Sequence, residues 1–159
     1  MRAVVQRVSR AQVRVDGQVV ASIGLGLLIL VAVEKGDGEE AVKKAAERFA
    51  HLRVFPDQEG KMNRSLKEAG GSILLVSQFT LAGSISRGRR PSFDGAAPPH
   101  LAQPLLEELA QALRGQGLEV QTGVFGAHME VELVNDGPVT FYWQYPPQSF
   151  RAPASPAQE

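Results

Sequence analysis

The sequence predicts an α/β protein with mixed, largely antiparallel sheets and two main helices packed on one side. Strand-like segments fill the first third of the chain, two amphipathic helices are separated by a further strand, and three strands follow the second helix. The resulting order, β-β-β-β-α-β-α-β-β-β, lacks the strict alternation of a doubly wound fold.

Ala3–Val8 reads as the first strand and Val13–Val15 as a second. Asp16-Gly17 is a two-residue hairpin signal leading into Gln18–Val20. Leu27–Val33 is a continuous apolar run, too short for a typical helix, which predicts a strand buried on both faces. Asp37 and Gly38 precede Glu39-Glu40, acids suited to a helix's first turn. Val42, Ala45, Ala46, Phe49 and Leu52 then recur at helical spacing. Pro56-Asp57 and Glu59-Gly60 mark a turn. Ser72–Leu81 reads as another apolar strand after Gly70-Gly71.

Gly, Ser, Arg and Pro dominate Ala82–Pro99, which predicts a long loop of the kind that often carries function. A second helix is expected over about Ala102–Arg114, with Leu105, Leu106, Leu109 and Leu113 as its stripe. Pro104 belongs in its first turn, and Gly115 and Gly117 stop it. Leu118–Gly123, Met129–Val134 and Val139–Tyr145 read as strands. The segment 146–159 has four prolines and no periodicity, and is expected to be disordered.

At 159 residues the chain has the length of one domain, here expected over 1–145. A hydrophobic fraction of 43% with 21% charged residues excludes wholesale disorder. Lys plus Arg equals Asp plus Glu at 17 each, so any nucleic-acid contact has to come from a local patch. With no cysteine, thiolate catalysis and Cys-based zinc sites are excluded, and a reducing compartment is expected. The longest apolar run, Leu25–Val33, is far short of a membrane span, and no signal-peptide core follows the N-terminus. These features predict a cytoplasmic protein. His51, His100 and His128 have no metal-ligand spacing, and the familiar nucleophile and phosphate-loop motifs are missing, so neither metal nor cofactor is expected.

Four segments carry chemistry. Ser77-Gln78-Phe79-Thr80-Leu81 turns polar where a buried strand leaves the core: a locally satisfied strand end, or a rim whose backbone N–H groups face a ligand. Asn135-Asp136-Gly137-Pro138-Val139-Thr140 is either an ordinary hairpin turn or a tight cis Gly-Pro turn exposing carbonyl oxygens. Arg7 shares a strand face with Ala3 and Val5. It is either a buried fork pinning carbonyls or a solvent-facing edge residue. Arg87, Arg89 and Arg90 make a compact cationic run, either a phosphate-binding patch or a solvated loop.

Together these segments resemble the D-aminoacyl-tRNA deacylases. The SQFTL and NDGPVT stretches match that family's two signatures, and neither departs from the pattern. The VVQRV opening, the Lys61-Met62-Asn63 turn and Arg90-Pro91-Ser92-Phe93 match as well, so the resemblance runs from Met1 to about Tyr145. It implies a three-layer α/β/β fold. It implies hydrolysis of the ester joining a D-amino acid, or glycine, to the 3′-terminal adenosine of tRNA, with L-aminoacyl-tRNA rejected. It also implies a homodimer in which a cis Gly137-Pro138 reaches into the partner subunit's pocket and meets the substrate's amino group. Arg7 would hold that segment, with Asn135 and Thr140 beside it.

Backbone N–H groups around Phe79 and Thr80 would stabilise the oxyanion, and Ser77 and Gln78 of the same signature are expected among the catalytic residues. No general base is evident nearby, in keeping with the family view that the ribose 2′-hydroxyl assists. Thr80 as a covalent nucleophile would need a base the sequence does not offer. Phe125 and Met129 fall where the family lines its adenosine pocket, although core packing explains Met129 equally well. The arginines would contact tRNA phosphates. A non-catalytic nucleic-acid-binding protein and an RNA-independent esterase are the competing readings.

Overall fold

A computed structural model describes residues 1–148. Of the tail expected at 146–159, the segment 149–159 lies outside the described residues.

The organising element is β1 (Arg2–Val15), a single strand where two shorter ones were expected. On one edge its first half pairs antiparallel with β3 (Gly26–Ala32) and its second half with β2 (Gln18–Ile23). The β1–β2 turn is the predicted Asp16-Gly17, with φ of 51° and 76°, the positive values such tight hairpins require. Beyond β3 the sheet continues in parallel with β6 (Ser72–Ser77) and β7 (Glu119–Thr122). On the other edge of β1 lies β8 (Glu130–Gln144).

The sheet separates two cores. On one face, Leu27, Ile29, Val31, Ile73 and Leu75 pack against Ala45 and Phe49 of α1 (Glu39–His51) and Leu109 and Leu113 of α3 (Pro99–Gly115). On the other, Leu28, Leu74 and Val76 meet Val8, Ala11, Val13, Ala21 and Ile23. The period-2 alternation of β3 and β6 feeds both cores, which is why Leu27–Val33 is apolar throughout. The layers are therefore helices, central sheet, and a curled-over outer sheet. Ser22 N–H of β2 donates to Gln121 Oε1 of β7 at 2.8 Å, which ties that outer layer to the central sheet.

Several boundaries differ from expectation. The strand expected over Ser72–Leu81 ends at Ser77, and Phe79–Ala82 forms a 3-10 turn. Helix α3 begins at Pro99, a proline suited to a first helical position. Pro104 therefore lies beyond the first turn, on an exposed face where water can take the carbonyl it leaves unbonded. A small hairpin, β4 (Arg53–Pro56) and β5 (Met62–Ser65), occupies the region expected to be only a turn. The Asp57 carboxylate closes it by accepting Lys61 and Glu59 N–H groups, which hold its pKa below the usual value. The short α2 (Leu66–Ala69) follows, with Ser65 and Glu68 forming a capping box.

The parallel β3–β6 ladder starts with a close approach. A Cβ on Gly26 would stand 1.8 Å from the Ser72 carbonyl oxygen. Backbone on both sides leaves no side chain to give way. Gly26→Ala is expected to destabilise the fold by about 3–5 kcal/mol, the range of severe steric substitutions, lowering the melting temperature by roughly 10 °C. A denaturant-midpoint change equivalent to less than about 1 kcal/mol would contradict this.

Candidate active site

The end of β6 sets the first part of the site. Gln78 N–H donates to the Val31 carbonyl at 2.8 Å, fixing the chain as it leaves the sheet. The 3-10 turn follows, closed by Leu81 N–H to Gln78 O at 3.1 Å and Gly83 N–H to Thr80 O at 3.0 Å. The N–H groups of Phe79 and Thr80, at the start of the turn, have no partner among the described residues. The Gln78 amide donates to Thr80 Oγ1, while neither imidazole nor carboxylate bonds to that hydroxyl among the described residues. Phe79 is 59% exposed, its ring tilted against Phe93 at 5.2 Å between centroids. Gly83 makes room for that pair, because a Cβ there would meet the Phe93 ring at 2.8 Å.

Beside this turn lies a cavity of about 310 Å³. Ser77 and Phe79 form one side, Phe125 and Gly126 another, and Ala97, Ala102 and Leu106 the helix side. Sequence reasoning named Phe125 but missed the alanines and Leu106. They come from the loop end and α3, and nothing local marks them. Met129 does not line the cavity. Its sulfur lies over Gly123, where a Cβ would meet it at 2.7 Å, and the side chain packs with the second core. A second cavity of about 350 Å³ adjoins the first, sharing Ser77, Leu106 and Phe125.

The Asn135–Thr140 segment is not a hairpin turn. Both halves of β8 pair with the same strand, Thr140 opposite Gln6 and Asn135 opposite Val8. Two steps along β1 thus match five along β8, so the extra residues bulge outward. Asp136, Gly137 and Pro138 are exposed, and the Gly137–Pro138 peptide bond is cis. Asn135 staples the base of the bulge: its Oδ1 accepts Val139 N–H at 2.7 Å, and its Nδ2 donates to Thr140 Oγ1 at 3.0 Å. Arg7 holds the other flank. Its Nε donates to the Asp136 carbonyl at 2.9 Å and its Nη1 to the Val54 carbonyl at 2.6 Å, so the side chain is only 11% exposed. The buried-fork alternative is the one the structure adopts.

The two motifs do not meet within one chain. β1 and β3 lie between the bulge and β6, and the bulge sits level with Gly26–Leu28, at the far end of β3 from Val31 and Ser77. Three strand spacings and about four residues of rise put the motifs roughly 20 Å apart.

Arg87, Arg89 and Arg90 are exposed on the loop after the 3-10 turn. Ser84 and Ser92 pair across its base, with backbone hydrogen bonds of 2.7 and 2.9 Å. None of the three arginines is ion-paired among the described residues. No three His, Cys, Asp or Glu side chains converge among those residues, and no described helix is long and apolar enough to cross a membrane.

The family model for D-Tyr-tRNA(Tyr) deacylase matches residues 4–144. The chain belongs to this family. A relative from Symbiobacterium thermophilum named D-aminoacyl-tRNA deacylase is 60% identical over 140 residues, covering 88% of this chain and 93% of its own length. Another of that name, from Thermomicrobium roseum, is 57% identical, covering 89% and 92% respectively. Among solved structures, one named c-Myc DNA Unwinding Element Binding Protein superposes with a TM-score of 0.86 at 36% identity, covering 92% of this chain and all of its own. The family membership thus agrees with the resemblance carried by Ser77–Leu81 and Asn135–Thr140.

Proposed function

We propose that this chain hydrolyses the ester between a D-amino acid, or glycine, and the 3′-terminal adenosine of tRNA, acting as a homodimer in the cytoplasm. The observation that carries the reading is the pair of free N–H donors at Phe79 and Thr80 beside a cavity of nucleoside size. Adenosine occupies the cavity between Phe79 and Phe125, and the ester carbonyl faces those donors. Water adds to the carbonyl carbon, the oxyanion is held by the two N–H groups, and the ribose 3′-oxygen leaves with a proton as the tetrahedral adduct collapses. The substrate's 2′-hydroxyl assists, since Thr80 has an amide rather than a base for a partner.

The separation of the two motifs supports the dimer: a bulge roughly 20 Å from the donors of its own chain serves a second copy's site. There Gly137 and Pro138 of the partner subunit present carbonyl oxygens to the α-ammonium. An L side chain would collide with them, whereas glycine has none to exclude.

The test is deacylation of matched D- and L-tyrosyl-tRNA by the purified protein. Loss of the D ester alone is expected. Equal cleavage of both would leave a plain esterase. Binding without cleavage would favour a nucleic-acid-binding role, the one carried in the name of the solved DNA Unwinding Element Binding Protein.

Thr80→Ala should keep at least about a tenth of the native rate, because the backbone donor survives and no nucleophile is lost. Complete inactivity with tRNA binding intact would reinstate Thr80 as the nucleophile. For the arginine run, three phosphate contacts give a slope of log K against log salt of about −2 to −3. Replacing Arg87, Arg89 and Arg90 together by alanine should flatten it, and an unchanged slope would remove them from the tRNA interface.

A further inference from the structure

Adenosine and the ester fill one of two adjoining cavities. The second, about 350 Å³, lies between α3 and the β6–β7 edge, and its wall sets Glu107, Gln111 and Arg114 beside apolar groups where the first is almost wholly apolar. Glu107 and Arg114 both line it, seven residues apart on α3, or about two turns. They are not paired with each other. Glu107 has no hydrogen-bond or ion partner among the described residues. Arg114 donates one N–H to the Val120 carbonyl at 2.8 Å, leaving the rest of its fork free. Gln111 lies between them.

We propose that this second cavity is the subsite for the cytidine that precedes the terminal adenosine of tRNA, its base read by Glu107 and Arg114. The inference rests on the deacylase reading. Every tRNA ends in the same CCA sequence, so a base-reading pocket at this position serves all substrates. Cytosine presents an amino donor at N4 beside acceptors at N3 and O2. A free carboxylate matches the donor and a free guanidinium the acceptors. The shared wall supplies continuity: Phe125 belongs to both cavities, so consecutive bases would lie on its two sides, as bases commonly do on aromatic rings in single-strand recognition. Glu107 also argues against a phosphate or other anion as the occupant.

The experiment compares D-tyrosyl-adenosine with the D-tyrosyl ester of the dinucleotide cytidylyl-adenosine. The native protein should turn over the dinucleotide with a kcat/KM about tenfold higher. That ratio should collapse towards one in Glu107→Ala. In Glu107→Gln, whose amide can also donate, the preference for cytidylyl-adenosine over uridylyl-adenosine should disappear. Each protein is its own control, so partial unfolding cancels in the ratio. Equal rates on mononucleoside and dinucleotide in the native protein overturn the subsite but leave the deacylase reading standing. Hydrolysis of neither overturns both. A Glu107→Ala protein that keeps the native ratio, or that instead changes the preference between D-tyrosyl and D-alanyl adenosine, also overturns the subsite, the latter by assigning the cavity to the amino-acid side chain.

Discussion

Arg7→Ala is expected to lower the kcat/KM for D-aminoacyl-tRNA by about a hundredfold while the chain remains folded. Arg7 ties the bulge to a different part of the fold, by bonding the Asp136 and Val54 carbonyls together. Neither carbonyl belongs to a continuous ladder at that point: β8 has left its register with β1 at Asp136, and β4 shifts its register with β5 between Arg53 and Phe55. Removing the guanidinium frees one flank of the bulge, and the carbonyls of Gly137 and Pro138 lose their fixed aim. Errors of about 1 Å in a positioning group cost about two orders of magnitude in rate. The stability cost is smaller, about 2–3 kcal/mol for two charge-assisted bonds in a partly buried place. Arg7→Lys should not rescue fully, since an ammonium lacks the planar fork that reaches two carbonyls at once. Rate and denaturant midpoint are measured on the same preparations. A variant that loses stability but keeps its rate would show that Arg7 is a packing residue only.

How far such features are legible depends on whether they are set locally. The double-faced apolar run of β3 and the Asp16-Gly17 hairpin are local, and the sequence carries both plainly. So is the Ser65–Glu68 capping box, an S-x-x-E pattern that reading for periodicity alone passes over. The Asn135–Thr140 segment is the contrary case. Asn, Asp, Gly and Pro give the same turn chemistry whether the chain reverses or merely bulges. What decides is that β1 runs through to Val15, long enough to pair both halves of β8, and that is a property of a strand more than 100 residues away. The cavity was half legible for the same reason. Phe79 and Ser77 stand in a motif, but Ala97, Ala102 and Leu106 are ordinary small and aliphatic residues until α3 is laid against β6. The identities of Arg7's two carbonyl partners were likewise beyond reach, since a backbone oxygen carries no residue-type signal.

Mixing two inactive variants should restore activity. Gly137→Ala damages the bulge: its φ of +149° is one that side chains rarely adopt, and a Cβ would stand 2.9 Å from the Val139 nitrogen, backbone that cannot rotate away. Ala97→Phe damages the other half by filling the cavity beside Phe79. If each site is made from the cavity of one subunit and the bulge of the other, either homodimer lacks one component at both of its sites. A heterodimer differs. The Gly137→Ala chain brings an intact cavity and the Ala97→Phe chain an intact bulge, so one of its two sites is whole and the other carries both lesions. With random exchange, half the dimers are mixed and half of their sites work, which predicts recovery to about a quarter of the native rate. A site contained within one chain predicts no recovery at any mixing ratio. The experiment therefore tests the composite site directly, because neither substitution can correct the other within its own chain.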